Sequence, residues 1–309
     1  MSLLFTQVTS LWKDDKRKWV KPSTYAEYIL IVNRHILPYF YEMELSSITD
    51  ACIQQFANSL ITKGLNINTV KDIIMVLKMI LRFGAKQGFA THTDFQVHFP
   101  AGMERKMELS VLSSNEQKVL LRYLQEHFSF RNLGILICLH TGLRIGEICG
   151  LQWKDLDTGA GIIHITKTVQ RIWLSDGEEK INQLSVHSPK TMTSERDIPI
   201  SSAILKIVRP LRKITNADFY VVSNSPEPLE PRYYRDYFKK LQDELGLRHF
   251  RFHALRHSFA TRCIESKCDY KTVSVILGHA SISTTMDLYV HPGYEEKKKV
   301  IEKMTRTLV

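Results

Sequence analysis

The sequence has no apolar run of the 18 or more residues that a membrane-crossing helix requires. Its start lacks a signal-peptide pattern, because Leu3, Leu4 and Phe5 are soon followed by Lys13, Lys16 and Arg17. These absences argue against secretion and against a membrane partner, and a soluble, cytoplasmic chain is expected. Cysteine is sparse: Cys52, Cys138, Cys149, Cys263 and Cys268 form no C-x-x-C pair, so a cysteine-built zinc site is disfavoured and buried thiols in a reducing compartment are expected. No internal repeat and no low-complexity segment is present. Acidic excess is missing too. The 309 residues carry 42 Lys and Arg against 32 Asp and Glu, a net charge of +10 that favours a polyanionic partner. That length suffices for about two domains of ~150 residues each.

What is present first is a series of helical patterns. Thr24 and Glu27 have capping-box spacing, and Tyr25, Ile29, Val32 and Ile36 then recur at helical intervals until Pro38, where the helix is expected to stop. A second helix is predicted from Asp50 to Lys63, ending at Gly64. A third, capped by Asn68, is predicted to run to about Gly88 with Val70, Ile73, Ile74, Leu77, Ile80 and Leu81 as its apolar stripe. Lys71, Lys78, Arg82 and Lys86 fall on its far side. They share one sign with no interleaved acid, so a DNA-backbone contact and a solvated face are both open readings.

Periodicity lapses from Thr91 to Leu112, where His92, Pro100, Gly102, Arg105 and Lys106 mark a linker. The expected domains are 1–100, a linker at 101–112, and 113–309. The last opens with a capping box at Ser113 and Glu116 and an almost wholly apolar helix at Leu133–Leu139. Gly142 then allows a tight turn that leaves Arg144 in the first turn of a helix with Glu147 one turn along. Strands are expected at 161–166 and 168–173, with a hairpin at Asp176-Gly177, and again near Val186 and at 197–200. Lys190 lies in the polar turn between the last two.

The stretch from Phe252 to Tyr289 carries the most chemistry. If it begins as a helix, His253 and Arg256 share a face and present two donors to one anion, and the planar fork of Arg suits a phosphate best. His253 and His257 have an H-x-x-x-H spacing, but no glutamate follows the first His and no third zinc ligand is evident. Tyr289 follows His279 by ten residues, where a phenol can be a nucleophile or a packing group.

Thr141-Gly142-Leu143-Arg144-Ile145-Gly146-Glu147, Pro189-Lys190-Thr191 with Arg196-Asp197-Ile198-Pro199, His253-Ala254-Leu255-Arg256-His257, Leu277-Gly278-His279 and Tyr289-Val290-His291 occur in that order. Together they closely resemble the tyrosine recombinase (phage integrase) family from about Ser113 to the end, and the N-terminal region is similar to that family's SAM-like core-binding domain. The Pro-Lys-Thr wording is most like integrases of conjugative transposons. With about twenty residues before the first clear helix, a separate arm-binding domain is not expected.

The resemblance implies a mainly α fold with a small antiparallel β-sheet in the catalytic domain, arranged as a two-domain C-shaped clamp on duplex DNA. It implies a site-specific recombinase acting through a 3′-phosphotyrosyl intermediate in integration, excision or inversion, without ATP, metal or cofactor. Arg144 and Arg256 would clamp the phosphate, His279 would donate a further hydrogen bond, Lys190 would be the general acid, and His253 the base or orienting partner of the Tyr289 nucleophile. Glu147 would orient the cluster. Lys167 and Lys180 compete with Lys190, and Tyr294 with Tyr289. Expected partners are double-stranded DNA core sites, a homodimer on each site, a homotetramer across two, and an accessory directionality factor. The tail from Tyr294, with Val300, Met304 and Leu308 on one side, would dock on a neighbouring protomer. A type IB topoisomerase-like relaxing enzyme and a regulator that has lost catalysis are the alternatives.

Overall fold

A computed structural model describes residues 3–89, 95–100, 110–177, 179–188, 195–289 and 294–306. The chain divides into two compact units, one made of residues 1–107 and 172–183, the other of 108–171 and 184–309.

The first unit is built on α1 (Phe5–Trp19), α2 (Pro22–Ile31), α3 (Leu37–Phe40), α4 (Asp50–Thr62) and α5 (Ile67–Lys86). Four of its boundaries differ from the sequence expectation. Helix begins at Phe5, not some twenty residues in, because Phe5, Val8 and Trp12 bury one narrow face of an otherwise polar segment. α2 starts at Pro22 instead of Thr24, since proline has a preset φ and needs no N–H in a first turn. Pro38 does not stop the helical path. A π-helical turn at Val32–Ile36 precedes α3, which contains Pro38, and that wider turn accommodates a ring lacking an N–H.

α4 is capped by Thr49, and α5 by Asn66 in place of Asn68. The six apolar residues predicted for α5 are all buried, packing on a core that includes Phe5, Phe40 and Phe56. On its opposite side Lys71, Arg82 and Lys86 are exposed and Lys78 is half-buried. The Lys71 and Lys78 ammonium groups stand over the rings of Phe99 and Phe95, at 5.6 and 5.3 Å from their centres. In the same unit, Ile172 and Leu174 pack against Tyr25, Ala26 and Ile29. Lys13 Nζ bridges Asp176 at 2.6 Å and Asn33 at 3.1 Å.

The second unit opens with α6 (Ser114–Glu126), held by the reciprocal Ser113 and Glu116 capping box. α7 (Phe130–Thr141) is buried along nearly its whole length, and α8 (Ile145–Gly150) follows directly. The strands β1 (Leu156–Asp157), β2 (Ile162–Ile165), β3 (Thr168–Asp176), β4 (Glu179–His187) and β5 (Arg196–Pro199) come next. β1, β2 and β5 form an antiparallel sheet in that order, with Ile163 opposite both Leu156 and Ile198; β3 and β4 form a separate ribbon. The chain then continues through α9 (Ser202–Ile214), α10 (Pro231–Glu244), α11 (His253–Glu265), α12 (Tyr270–Leu277), α13 (Ile282–Tyr289) and α14 (Tyr294–Thr305).

The fold is mainly helical with small antiparallel sheets. The core of the second unit gathers α7, the inward faces of β2 and β5, and the aromatic side of α10. In α14 Met304 is exposed, while Leu308 lies outside the described residues. Among the described residues no helix is long and apolar enough to cross a membrane.

Candidate active site

Two helices end on glycines in the left-handed region, Gly142 after α7 (φ 67°) and Gly278 after α12 (φ 64°). Helix C-termini leave carbonyls without intrahelical partners and carry partial negative charge. Both ends hold arginines here. Arg256 donates from Nη1 to Gly142 O at 2.9 Å and from Nη2 to Leu277 O at 2.7 Å, and Arg144 donates from Nη2 to Gly278 O at 2.9 Å. Arg256 is 1% exposed. Burial first, then repulsion from Arg144, lowers its pKa to about 9, so it stays a cation at neutral pH.

Arg144 occupies the N-cap of α8 instead of its first turn. Its backbone N–H and its guanidinium both donate to Glu147, at 2.9 and 2.8 Å. The Glu147 carboxylate, 3% exposed, also takes two 3.0 Å bonds from Arg196 of β5. Arg196 in turn donates from Nε to Ile276 O at 2.6 Å. Burial would raise the Glu147 pKa, but the bonds and charges of Arg196 and Arg144 outweigh it and hold the group below its ordinary value. One carboxylate thus ties α8, β5 and the end of α12 together.

The imidazoles are arranged along α11 and past α12. His253 and His257 meet edge to face with centroids 4.6 Å apart. His257 Nδ1 lies 2.6 Å from Tyr289 Oη, and His279 Nδ1 lies 2.8 Å from Thr285 Oγ1. His253 is exposed at one end of α11. Desolvation, then His257, Arg256 and Arg144, depresses its pKa to about 4. Burial and the charges of Arg256 and Arg144 bring His279 to about 4 as well. Tyr289 is buried; that burial raises its pKa, while Arg256 and Arg144 pull the other way.

The structure therefore gathers Arg144, Glu147, His253, Arg256, His279 and Tyr289, drawn from α8, α11, α13 and the turn after α12. Lys190 lies outside the described residues. Of its competitors, Lys167 is engaged by Asp155 at 3.0 Å, and Lys180 is exposed on β4. Lys71, Lys78, Arg82 and Lys86 belong to α5 of the other unit.

Sequence reasoning left Arg196 and His257 without a role. Both had a signal. Arg196 alternates with Asp197 on a strand whose Ile198 faces the core, so period two turns Arg196 inward. His257 follows His253 by one helical turn. Two cations, imidazole donors and a phenol around one space can bind a phosphate and attack it.

Residues 110–296 match the phage integrase family, and residues 4–61 match the phage integrase N-terminal SAM-like domain. The chain belongs to the phage integrase family of tyrosine recombinases, enzymes that catalyse site-specific DNA recombination. It is 25% identical over 307 residues to a XerC-like tyrosine recombinase of Caldanaerobacter subterraneus subsp. tengcongensis, covering 92% of this chain and 78% of the relative. It is 27% identical over 301 residues to the ICEBs1 integrase of Bacillus subtilis, with the same coverage. It is 26% identical over 215 residues to the Tn916 transposase of Enterococcus faecalis, covering 64% of this chain and 51% of the relative. The fold is also that of the Tn1549 transposon integrase in complex with transposon right end DNA, with a TM-score of 0.79 at 22% identity over 98% of this chain and all of that one. A lambda integrase dimer bound to a COC′ core site gives 0.66 at 20% identity over 95% and 97%.

Proposed function

We propose that this recombinase cuts and rejoins duplex DNA at core sites through a 3′-phosphotyrosyl link to Tyr289. The observation that carries this reading is the Tyr289 phenol in one cluster with Arg144, Arg256 and His279. A phosphodiester is a poor electrophile whose transition state places added charge on the non-bridging oxygens, so catalysis rests on preorganised cations and an aligned nucleophile. Arg144 and Arg256 are held by helix-end carbonyls and supply the cations for those oxygens. In the tautomer in which the Thr285 hydroxyl donates to Nδ1, neutral His279 carries its proton on Nε2 and offers it to the phosphate.

The attack forms the Tyr289 Oη–P bond and breaks the bond to the 5′ oxygen, which takes a proton from Lys190, the role the family motif assigns to that residue. Reversal by a 5′-hydroxyl from a second duplex exchanges strands without ATP. The domains read as a core-binding module over 1–100, a linker at 101–112 and a catalytic module over 113–309. Assembly as a dimer per site and a tetramer across two follows the lambda integrase complexes, which are a dimer on a core site and a tetramer on a Holliday junction. Integration, excision or inversion then depends on the placement and orientation of the two sites.

The test uses a nicked duplex selected from a randomised library by retention on the full chain. The intact protein is expected to form a denaturation-resistant protein–DNA adduct, and Tyr289→Phe to retain DNA without forming one. Adduct from Tyr289→Phe, or none from the intact protein, overturns the reading. Relaxation of supercoiled plasmid lacking the selected site would instead indicate a type IB topoisomerase-like activity.

A further inference from the structure

We infer that His257 is a catalytic residue, the group that takes the Tyr289 proton as the phenol attacks phosphorus and returns it on religation; this rests on the phosphotyrosyl reading. The geometry is direct: His257 Nδ1 stands 2.6 Å from Tyr289 Oη. In the neutral Nε2–H tautomer the phenol is the donor and Nδ1 the acceptor, so the proton to be removed points at its acceptor. His253 meets the His257 ring edge to face, with centroids 4.6 Å apart.

The surroundings set where that proton rests. On α11, His253, Arg256 and Cys263 are the titratable or charged neighbours. α12 contributes Val273 and Leu277, and α13 adds Leu288 beside Tyr289. Arg144 acts on Tyr289 from the N-terminus of α8. Cys263 is pushed up to about 11, mainly by burial, and stays a thiol. Burial, then Arg256, lowers the His257 pKa, while burial raises that of Tyr289. The proton therefore stays on the phenol in the free protein. A DNA phosphate between Arg144 and Arg256 brings negative charge that favours the imidazolium, so basicity rises at His257 when substrate is in place.

The step balances. The O–H proton moves to Nδ1 as the Oη–P bond forms and the bond to the 5′ oxygen breaks, with that oxygen protonated separately by the general acid. On religation His257 gives the proton back to the departing phenolate oxygen.

The experiment measures single-turnover adduct formation on the selected nicked duplex against pH, for the intact chain, His257→Asn and His257→Gln. The Asn Oδ1 can replace Nδ1 as hydrogen-bond acceptor but cannot carry the proton. Both variants are expected to retain DNA as the intact chain does and to form adduct about 10²- to 10⁴-fold more slowly. The intact rate should rise with pH as His257 gives up its proton and then level off, and that rise should vanish in both variants. A duplex with a 5′-bridging sulfur, whose thiolate leaves unprotonated, should not restore their rate. Adduct formed at the intact rate, an unchanged pH profile, or restoration by the sulfur duplex overturns the inference. No adduct from the intact chain overturns the phosphotyrosyl reading itself, and this inference with it.

Discussion

Replacing Glu147 with Ala tests the electrostatic frame of the site. Its carboxylate receives two 3.0 Å bonds from Arg196 and one of 2.8 Å from Arg144. At 3 Å a unit-charge pair is worth about 5 kcal/mol at an effective dielectric of ~20, before the desolvation of both ions is subtracted. The Glu147 and Arg196 side chains are 3% and 5% exposed, so removing the carboxylate strands a buried guanidinium. Such a loss costs about 3 to 5 kcal/mol, and at about 2 to 4 °C per kcal/mol for a unit of this size the melting temperature should fall by about 6 to 20 °C. Circular dichroism melts of the full chain at neutral pH measure this.

The pH dependence of the same melts gives a second reading. Glu147 titrates below its ordinary 4.5 in the folded protein. Its stabilisation is therefore full above 4.5 and is lost as pH falls through the depressed folded value. The gap between the parent and Glu147→Gln should be widest at neutral pH and should narrow below 4.5. The double variant Glu147→Met with Arg196→Met should recover much of the lost stability, because two apolar side chains leave no Glu147–Arg196 charge unpaired. A Glu147→Ala melt within 2 °C of the parent, or a gap that widens in acid, would refute this account.

Two further outcomes follow from local geometry. At Gly278 an added Cβ would meet the Arg196 guanidinium at 3.0 Å in a left-handed backbone, whereas at Gly64 (φ +82°) it would meet nothing within 4 Å. Both Ala variants should lose about 1 to 2 kcal/mol from backbone strain, but only Gly278→Ala should also slow adduct formation; equal activity in the two would show that Arg196 placement is irrelevant. If the exposed side of α5 lies against DNA, replacing Arg82 and Lys86 with Gln should reduce the slope of log affinity against log salt by up to about 1.8 with no change in melting temperature. An unchanged slope removes that face from the interface.

The α5 stripe and the capping box at Ser113 were legible because helical period and cap chemistry are local. The same local reasoning misplaced the start of α1, where polar residues mask a three-residue apolar face, and the effect of Pro38, where a π turn absorbed the ring. For the site, the ordered motifs named Arg144, His253, Arg256, His279 and Tyr289 and the family to which the chain belongs. The Arg196–Glu147 pair joins residues 49 positions apart, and no period links them.

The sequence by itself determined which arginines, imidazoles and phenol the chain brings to the candidate site, since residue type and motif order are covalent facts. Only the tertiary structure decided how they are held. It put the helix-end carbonyls of Gly142, Leu277 and Gly278 behind two arginines, and it set the imidazole of His257 against the Tyr289 phenol. Hydrogen-bond partners at 2.6 to 3.0 Å depend on where distant elements pack, and that packing follows from burying α7, β5 and α10 in one core.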